Sequence, residues 1–125
     1  MIEQFKGHNF LALETFKKDG TGVITPLFFV EHEGILYMRS PMASWKVKRM
    51  RNNPQVRVVP SDVRGEPKGE WVKGQAQIYH ESEMSWVNEL VIKKYRFVKR
   101  LMDWRNRLLR RTGKFAVIAV RLTEI

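Results

Sequence analysis

The segment from Ser40 to Pro60 constrains the fold more than any other part of this sequence. It predicts the end of a strand, a short basic helix from Ser44 to Asn53, an Asn-Asn-Pro stop and an apolar strand. Ser44 suits the N-cap position because its hydroxyl can accept a hydrogen bond from a free amide of the first helical turn. Pro54 ends the helix because the residue before a proline disfavours helical dihedral angles.

The charge of this strand–helix–strand unit is one-sided. Six basic residues and no acidic residue lie between Arg39 and Arg57. A helix N-terminus carries free backbone N–H groups and a partial positive charge, so with a nearby lysine it favours phosphate binding. The pattern therefore predicts a phosphate site at the helix start, although the same cations would also suit the solvated face of a short helix.

Short apolar segments separated by turn residues predict six strands. The Asp19-Gly20 turn between the first two strands tolerates the positive φ that tight hairpins need. Pro26 cannot donate to a strand ladder and indicates an edge, a bulge or a ligand-facing position. The pattern predicts a mainly β (α+β) fold, a six-stranded antiparallel barrel with peripheral helices. The predicted strands are 10–16, 23–30, 35–39, 56–60, 71–79 and 115–122.

The basic segment from Ser82 to Arg111 has a helical period. Its apolar arc is formed by Trp86, Leu90 and Phe97 and is widened by Val87 and Val91, with lysines and arginines opposite. Lys94 and Arg105 fall within that arc, where burial of a charge is unfavourable. We therefore expect two helices, with a break near residues 95–97.

Length and composition set the outer limits. A chain of 125 residues is expected to form one domain, spanning 1–125. It has no cysteine, which excludes disulfides and thiolate metal sites, and it has no secretory signal or run of about 18 apolar residues. We expect a cytoplasmic protein. The net charge of +10 predicts an anionic partner.

Several of these motifs together resemble a known family. They are the Asp-Gly turn at 19–20, Thr-Pro at 25–26, Leu-Tyr-Met-Arg-Ser at 36–40, the stretch 46–60 and Asp-Val-Arg-Gly-Glu-Pro at 62–67. The chain is similar to the split β-barrel flavoproteins of the pyridoxamine 5'-phosphate oxidase-like superfamily. Within that superfamily it is most similar to the short branch of F420-dependent (deazaflavin) oxidoreductases.

The resemblance implies a homodimer that binds coenzyme F420 or FMN in clefts between the subunits. It also implies hydride transfer to or from a small organic substrate. Ser40 and Ser44 would bind the cofactor phosphate, with Lys46 as its cation. The other implied cofactor contacts are Lys48, Arg51 and Arg57, with Thr25, Pro26 and Leu27 beside the ring.

The chain also departs from the family. Trp45 stands where relatives have Gly or Arg, and Arg96 stands where they often have Gly. Trp71 is a further hypothesis, as a residue that stacks near the ring. No residue is predicted to be catalytic and none to bind a metal. His8, His32 and His80 are proton carriers by type, but their predicted positions favour surface roles.

Other functions stay open at this stage. The charge alone would suit a non-catalytic protein that binds nucleic acid, although no base-reading motif is present. The amphipathic segment would suit an anionic membrane surface. On the same fold, heme binding or cofactor storage without turnover is also compatible with the sequence.

Overall fold

A computed structural model describes residues 2–95 and 114–123 of the chain. Seven strands and two helices lie in this part, with short 3-10 turns at Ile2–Phe5 and Glu81–Glu83. In chain order they are β1 (Phe10–Phe16), β2 (Gly22–Phe28), β3 (Val30–His32), β4 (Ile35–Pro41), α1 (Trp45–Asn52), β5 (Gln55–Ser61), β6 (Val72–His80), α2 (Ser85–Tyr95) and β7 (Phe115–Leu122).

The strands form one antiparallel sheet in the order β2-β1-β5-β6-β7-β4-β3. β2 and β3 lie at opposite ends of this order, yet only Phe29 separates them along the chain. The sheet must therefore curl until its two ends meet, which gives a barrel. The predicted mainly β class is confirmed, but the strand count of six is wrong.

The miscounted strand lies between residues 23 and 32. The sequence predicts one strand over 23–30, but its residues pair with β1 up to Phe28 and with β4 from Val30. The change of partner occurs at Phe29, where no glycine or proline signals a break. The backbone N–H of Phe29 lies 3.4 Å from the carbonyl of Asn9 and 3.2 Å from the hydroxyl of Tyr95.

Side chains on β4 and β7 alternate between two buried layers, one inside the barrel and one outside it. Leu36, Met38, Ile118 and Val120 point into the barrel and belong to its main apolar core. Their neighbours point outward and pack against α2, through Tyr37 and Val117 among others. Both faces of these strands are therefore buried, which explains why Phe115–Leu122 reads as an almost unbroken apolar run.

Helix α2 buries one side of the apolar arc that the sequence predicts. Val87, Val91 and Tyr95 are buried at a spacing of four residues, whereas Trp86 remains 37% exposed. Trp86 packs instead on the edge of Tyr37, with 4.9 Å between ring centroids. The predicted break near 95–97 and the second helix fall outside the described residues.

The C-terminal end of α2 holds the junction between β2 and β3. The Tyr95 hydroxyl lies 2.6 Å from the carbonyl oxygen of Asn9 and 2.7 Å from that of Phe29. Although Lys94 as a whole is exposed, its ammonium donates to the carbonyls of His8 and Phe29, both at 2.9 Å. It also lies 3.9 Å from the centroid of the Phe29 ring. Lys94 is thus accommodated in the predicted apolar arc by two carbonyls and an aromatic face.

We expect Tyr95→Phe to lower the free energy of unfolding by about 1–3 kcal/mol, because buried backbone groups at the junction lose their partner. Urea unfolding followed by circular dichroism would measure the change. Tyr79→Phe is a matched control, since the Tyr79 hydroxyl makes none of these contacts. Equal stability of the two variants would contradict the role given to Tyr95.

The junction also predicts a pH dependence. Burial lowers the pKa of Lys94 to about 8, with the Glu31 carboxylate opposing the shift. The pKa of an unfolded lysine is about 10.4. Between about pH 8 and this value the unfolded chain binds more protons than the folded chain, so the free energy of unfolding rises with pH. Above about pH 10 the trend reverses, because burial raises the pKa of Tyr95 and the unfolded tyrosine ionises first.

Unfolding curves measured from about pH 7 to pH 10 should therefore rise less steeply for Lys94→Met than for the unmodified chain. Lys68→Met, at an exposed lysine, should keep the full rise. Parallel curves for Lys94→Met and the unmodified chain would show that the Lys94 charge does not disfavour the folded state.

Candidate functional site

Two serines meet where β4 gives way to α1. Ser40 is 1% exposed, and its hydroxyl oxygen lies 3.0 Å from that of Ser44. The two residues are brought together by a turn in which the Ser44 amide donates to the carbonyl of Pro41 at 3.0 Å. Ser44 has extended backbone angles and its hydroxyl accepts from the amide of Val47 at 3.4 Å, so it is the N-cap that the sequence predicts.

At the start of α1, two backbone amides have no acceptor among the described residues. The first intrahelical hydrogen bond runs from the Lys48 amide to the Ser44 carbonyl. The amides of Trp45 and Lys46 precede it, and such N-terminal amides have no partner inside a helix. Together with the positive end of the helix dipole, they offer a small anion two directed donors beside the serine hydroxyls.

Lys46 adds a cation to this helix start. Its side chain is half-buried, and burial, together with the positive charge of Arg49, lowers its pKa. No salt-bridge partner is found for it among the described residues. A lysine whose charge is disfavoured in this way is stabilised by an incoming anion, because the anion restores the interaction lost with water.

The remaining cations of α1 differ in their surroundings. Lys48 is exposed and lies 4.6 Å from the centroid of the Trp45 ring. Arg51 is exposed and donates to the sulfur of Met42 at 3.2 Å. Arg49, which the sequence reasoning did not assign to the site, donates from Nε to the hydroxyl of Thr15 at 2.7 Å. Lys48 and Arg51 can therefore turn towards an anion, whereas Arg49 is anchored to β1.

Arg57 has a strong partner that sequence reasoning missed. Its Nε donates to Glu14 Oε1 at 2.6 Å, and its guanidinium lies 5.0 Å from the centroid of the Trp71 ring. Glu14 is 8% exposed, and a Cβ on Gly22 would have to displace its carboxylate. The pair spans 43 residues of sequence, and only the β1–β5 pairing reveals it.

Thr25, Pro26 and Leu27 lie on β2, the last strand at one end of the sheet order. Among the described residues they pair with β1 alone, as the edge interpretation of Pro26 requires. Cα atoms of β2 and β4 come within 8 Å of each other, although no strand pairing joins the two in the described part of the chain. β2 and β4 therefore face each other across a seam in the barrel wall.

The serine pair lies on the β4 side of this seam. β3 pairs only with Ile35–Tyr37, so the following residues of β4, Met38–Pro41, are paired through β7 alone in the described part of the chain. Ser40 belongs to this half-paired stretch. The structure thus brings Ser40, Ser44 and Lys46 together and places Thr25–Leu27 on the strand across the seam.

The histidines lie apart from this arrangement. His80 caps the turn at Glu81–Glu83, with its ring nitrogen accepting from the Ser82 amide at 3.2 Å. His32 packs against Trp86, with 5.2 Å between ring centroids. Within residues 2–95 and 114–123, no group of three or more metal-ligating side chains is placed to hold an ion. No helix in the same residues is long and apolar enough to cross a membrane.

Comparison with known proteins agrees with this architecture. No protein-family model matches the chain, and no curated protein matches it. Several solved structures do match it. A candidate pyridoxamine 5'-phosphate oxidase of Listeria innocua superposes with a TM-score of 0.64 at 18% identity, covering 98% of this chain and 90% of its own. A FAD-binding protein of Mesorhizobium loti gives 0.66 at 19% identity, covering 98% and 86%.

A third similar structure has another role in its own organism. HutZ, the heme storage protein of Vibrio cholerae, superposes with a TM-score of 0.65 at 16% identity, and the match covers 98% of this chain and 86% of HutZ. At these identities the similarity concerns the path of the backbone. The chain therefore has the split β-barrel fold of the pyridoxamine 5'-phosphate oxidase-like proteins.

Proposed function

We propose that this protein binds a flavin-type cofactor, FMN or the deazaflavin coenzyme F420, through its phosphate at the start of α1. We further propose that it acts as an oxidoreductase on a small organic substrate. The observation that carries the proposal is the Ser40–Ser44 hydroxyl pair, 3.0 Å apart, at a helix N-terminus that also holds the half-buried Lys46.

The residues present fit a phosphate group. A phosphate monoester has several acceptor oxygens and carries close to two negative charges at neutral pH. Ser40, Ser44 and the free amides of Trp45 and Lys46 supply donors, and Lys46 supplies the charge. Lys48 and Arg51 are exposed near the same helix and can add charge. Arg57 is already paired with Glu14, so we leave it out of the proposed phosphate shell.

A flavin or deazaflavin, when bound, supplies hydride-transfer chemistry. The chain's part is to bind, orient and shield. Serine hydroxyls and helix amides fix the phosphate, while the backbone of Thr25–Leu27 borders the seam where the ring would lie. Pro26 has no N–H, so it cannot donate across the seam to β4. The proposal assigns no side chain of this chain as an acid or base.

The choice between FMN and F420 depends on parts of the site beyond the serine pair. Trp45 stands where flavin-binding oxidases of this fold class carry an arginine, so one expected phosphate cation is missing. Deazaflavin coenzymes carry a polyglutamate tail, and the segment 82–114 holds ten basic and three acidic residues. That segment favours F420 through charge, and most of it lies outside the described residues.

We also propose a homodimer in which the second subunit completes the cofactor cleft. β2 is a terminal strand, and the exposed apolar residues Ile24 on β2 and Val63 in the β5–β6 turn are 51% and 61% exposed. A Cβ on Gly65 of that turn would lie 3.5 Å from Pro26, so the turn packs against β2. These apolar residues thus belong to neighbouring elements at one end of the sheet.

The phosphate assignment predicts a selective loss of cofactor binding. Lys46→Ala and Ser44→Ala should each weaken binding of the preferred cofactor about tenfold or more, because hydrogen bonds to a charged group contribute roughly 1.5–3 kcal/mol. Fluorescence titration of apo-protein with FMN and with F420 would measure this and would choose between the cofactors.

Lys68→Ala is the matched control, since it removes an exposed lysine from the β5–β6 connection. It should leave the cofactor affinity unchanged. Sedimentation of the same samples should give a mass of two 14.8 kDa chains. Failure of both cofactors to bind at micromolar concentration would refute the oxidoreductase proposal, as would equal binding by Lys46→Ala and Lys68→Ala.

A further inference from the structure

A basic groove lies beside α1, on the side away from the barrel core. It has a volume of about 910 Å³ and is lined by the end of the β1–β2 hairpin and by the outer face of α1. Trp45, Lys48, Arg49 and Asn52 follow the i, i+3, i+4, i+7 spacing, so they share one face of the helix. Val47 and Met50 occupy the opposite, buried face.

The charge in this basic groove is not balanced by the residues that line it. Lys17 and Lys18 contribute from the hairpin, Lys48 and Arg49 contribute from α1, and no described residue adds a carboxylate to the lining. Asp19, at the hairpin tip, lies outside this lining; its carboxylate accepts from the Thr21 amide at 2.9 Å and partly offsets the charge of Lys17 alone. Four cations around one concave surface favour an anionic ligand.

Trp45 gives the basic groove an aromatic surface as well. It is 72% exposed, the highest exposure among the large apolar side chains of the described residues. An indole left in water is unfavourable, and an aromatic ligand stacked on it would remove that surface from solvent. Lys48 lies 4.6 Å from its ring centroid, so a cation already accompanies the ring.

The combination selects one class of ligand. An exposed aromatic ring between cations is the arrangement that proteins use to stack a nucleic acid base while holding its phosphate. Asn52 is exposed at the end of the same helix face, and its amide can hydrogen-bond a base edge. Asn53 is held in place, because its side-chain oxygen accepts from the Gln55 amide at 3.1 Å.

We propose that the basic groove is a nucleotide-binding site, with the base stacked on Trp45 and the phosphate held by Lys17 and Lys18. The ligand is a free nucleotide or a nucleotide within a single strand of nucleic acid, since both present a base and a phosphate. The groove adjoins the proposed cofactor site, since Lys48 lies near both, but it uses the Trp45 side chain and the hairpin lysines instead of the serine pair and Lys46.

The test uses AMP and an oligothymidylate of eight nucleotides as probes, measured by calorimetry and by fluorescence anisotropy. Trp45→Ala should weaken binding of the favoured probe on the order of tenfold, since base stacking is lost, while Trp45→Phe should keep most of it. Inorganic pyrophosphate, which has no base, should bind Trp45→Ala and the unmodified chain equally.

Lys17→Ser combined with Lys18→Ser tests the charge. For the oligonucleotide the slope of log affinity against log salt should become shallower by about 1.4, which corresponds to two lost phosphate contacts. Trp86→Phe is the control, because Trp86 lies on α2 away from the groove. Thermal melting establishes that each variant is folded.

The two probes distinguish a free nucleotide from a nucleotide within a single strand. Binding of the oligonucleotide at least tenfold tighter than AMP indicates a single strand, and comparable binding indicates a free nucleotide. Binding of neither probe, or binding that Trp45→Ala does not change, overturns the proposal. A fall in sedimenting mass of Trp45→Ala without lost nucleotide binding also overturns it, because a second copy of the chain then covers the indole.

The nucleotide site and the cofactor site can fail separately. The Lys17→Ser, Lys18→Ser variant should lose oligonucleotide affinity and keep FMN or F420 affinity, and Lys46→Ala should show the reverse. Loss of both ligands in both variants would mean that one shared anion surface exists, and it would overturn the separate groove.

Discussion

The fold depends on the passage of the chain through Phe29. This one residue joins two strands that lie at opposite ends of a seven-stranded sheet. The barrel is therefore closed by the covalent chain, and the junction has no continuous ladder to satisfy its backbone groups. Tyr95 and Lys94 of α2 provide the missing hydrogen bonds, to the carbonyls of Asn9, Phe29 and His8. α2 is thus more than a cover for the outer face of β4 and β7.

The same closure creates the candidate site. Because β3 is only three residues long, it leaves the second half of β4 without a neighbour on the β2 side in the described part of the chain. The Ser40 hydroxyl and the start of α1 lie in this part. A longer β3 would extend the ladder along β4 and close the seam between β2 and β4. The seam is a consequence of where the sheet stops pairing, and the residues that we propose bind phosphate lie at that place.

Local signals explain what could be predicted from sequence. The Ser44 cap, the Pro54 stop and the Asp19-Gly20 turn each act within a few residues, and the structure has α1 at 45–52 and the hairpin as expected. The strand switch at Phe29 could not be predicted, because the side chain that hydrogen-bonds the junction, Tyr95, lies 66 residues away in sequence. The Glu14–Arg57 pair was missed for the same reason. The sequence marked Lys94 as anomalous, but it could not reveal the two carbonyls that accept from its ammonium.

The central claim is that a cofactor phosphate binds at the start of α1, and backbone amide NMR tests it most directly. A ¹⁵N-labelled sample would be titrated with FMN and with F420 while the amide signals of Trp45 and Lys46 are followed. These two N–H groups precede the first intrahelical bond, so we predict that they show the largest shifts on saturation, in the downfield direction that a new hydrogen bond to an anion produces. Saturation by either cofactor with both amides unmoved would contradict the account.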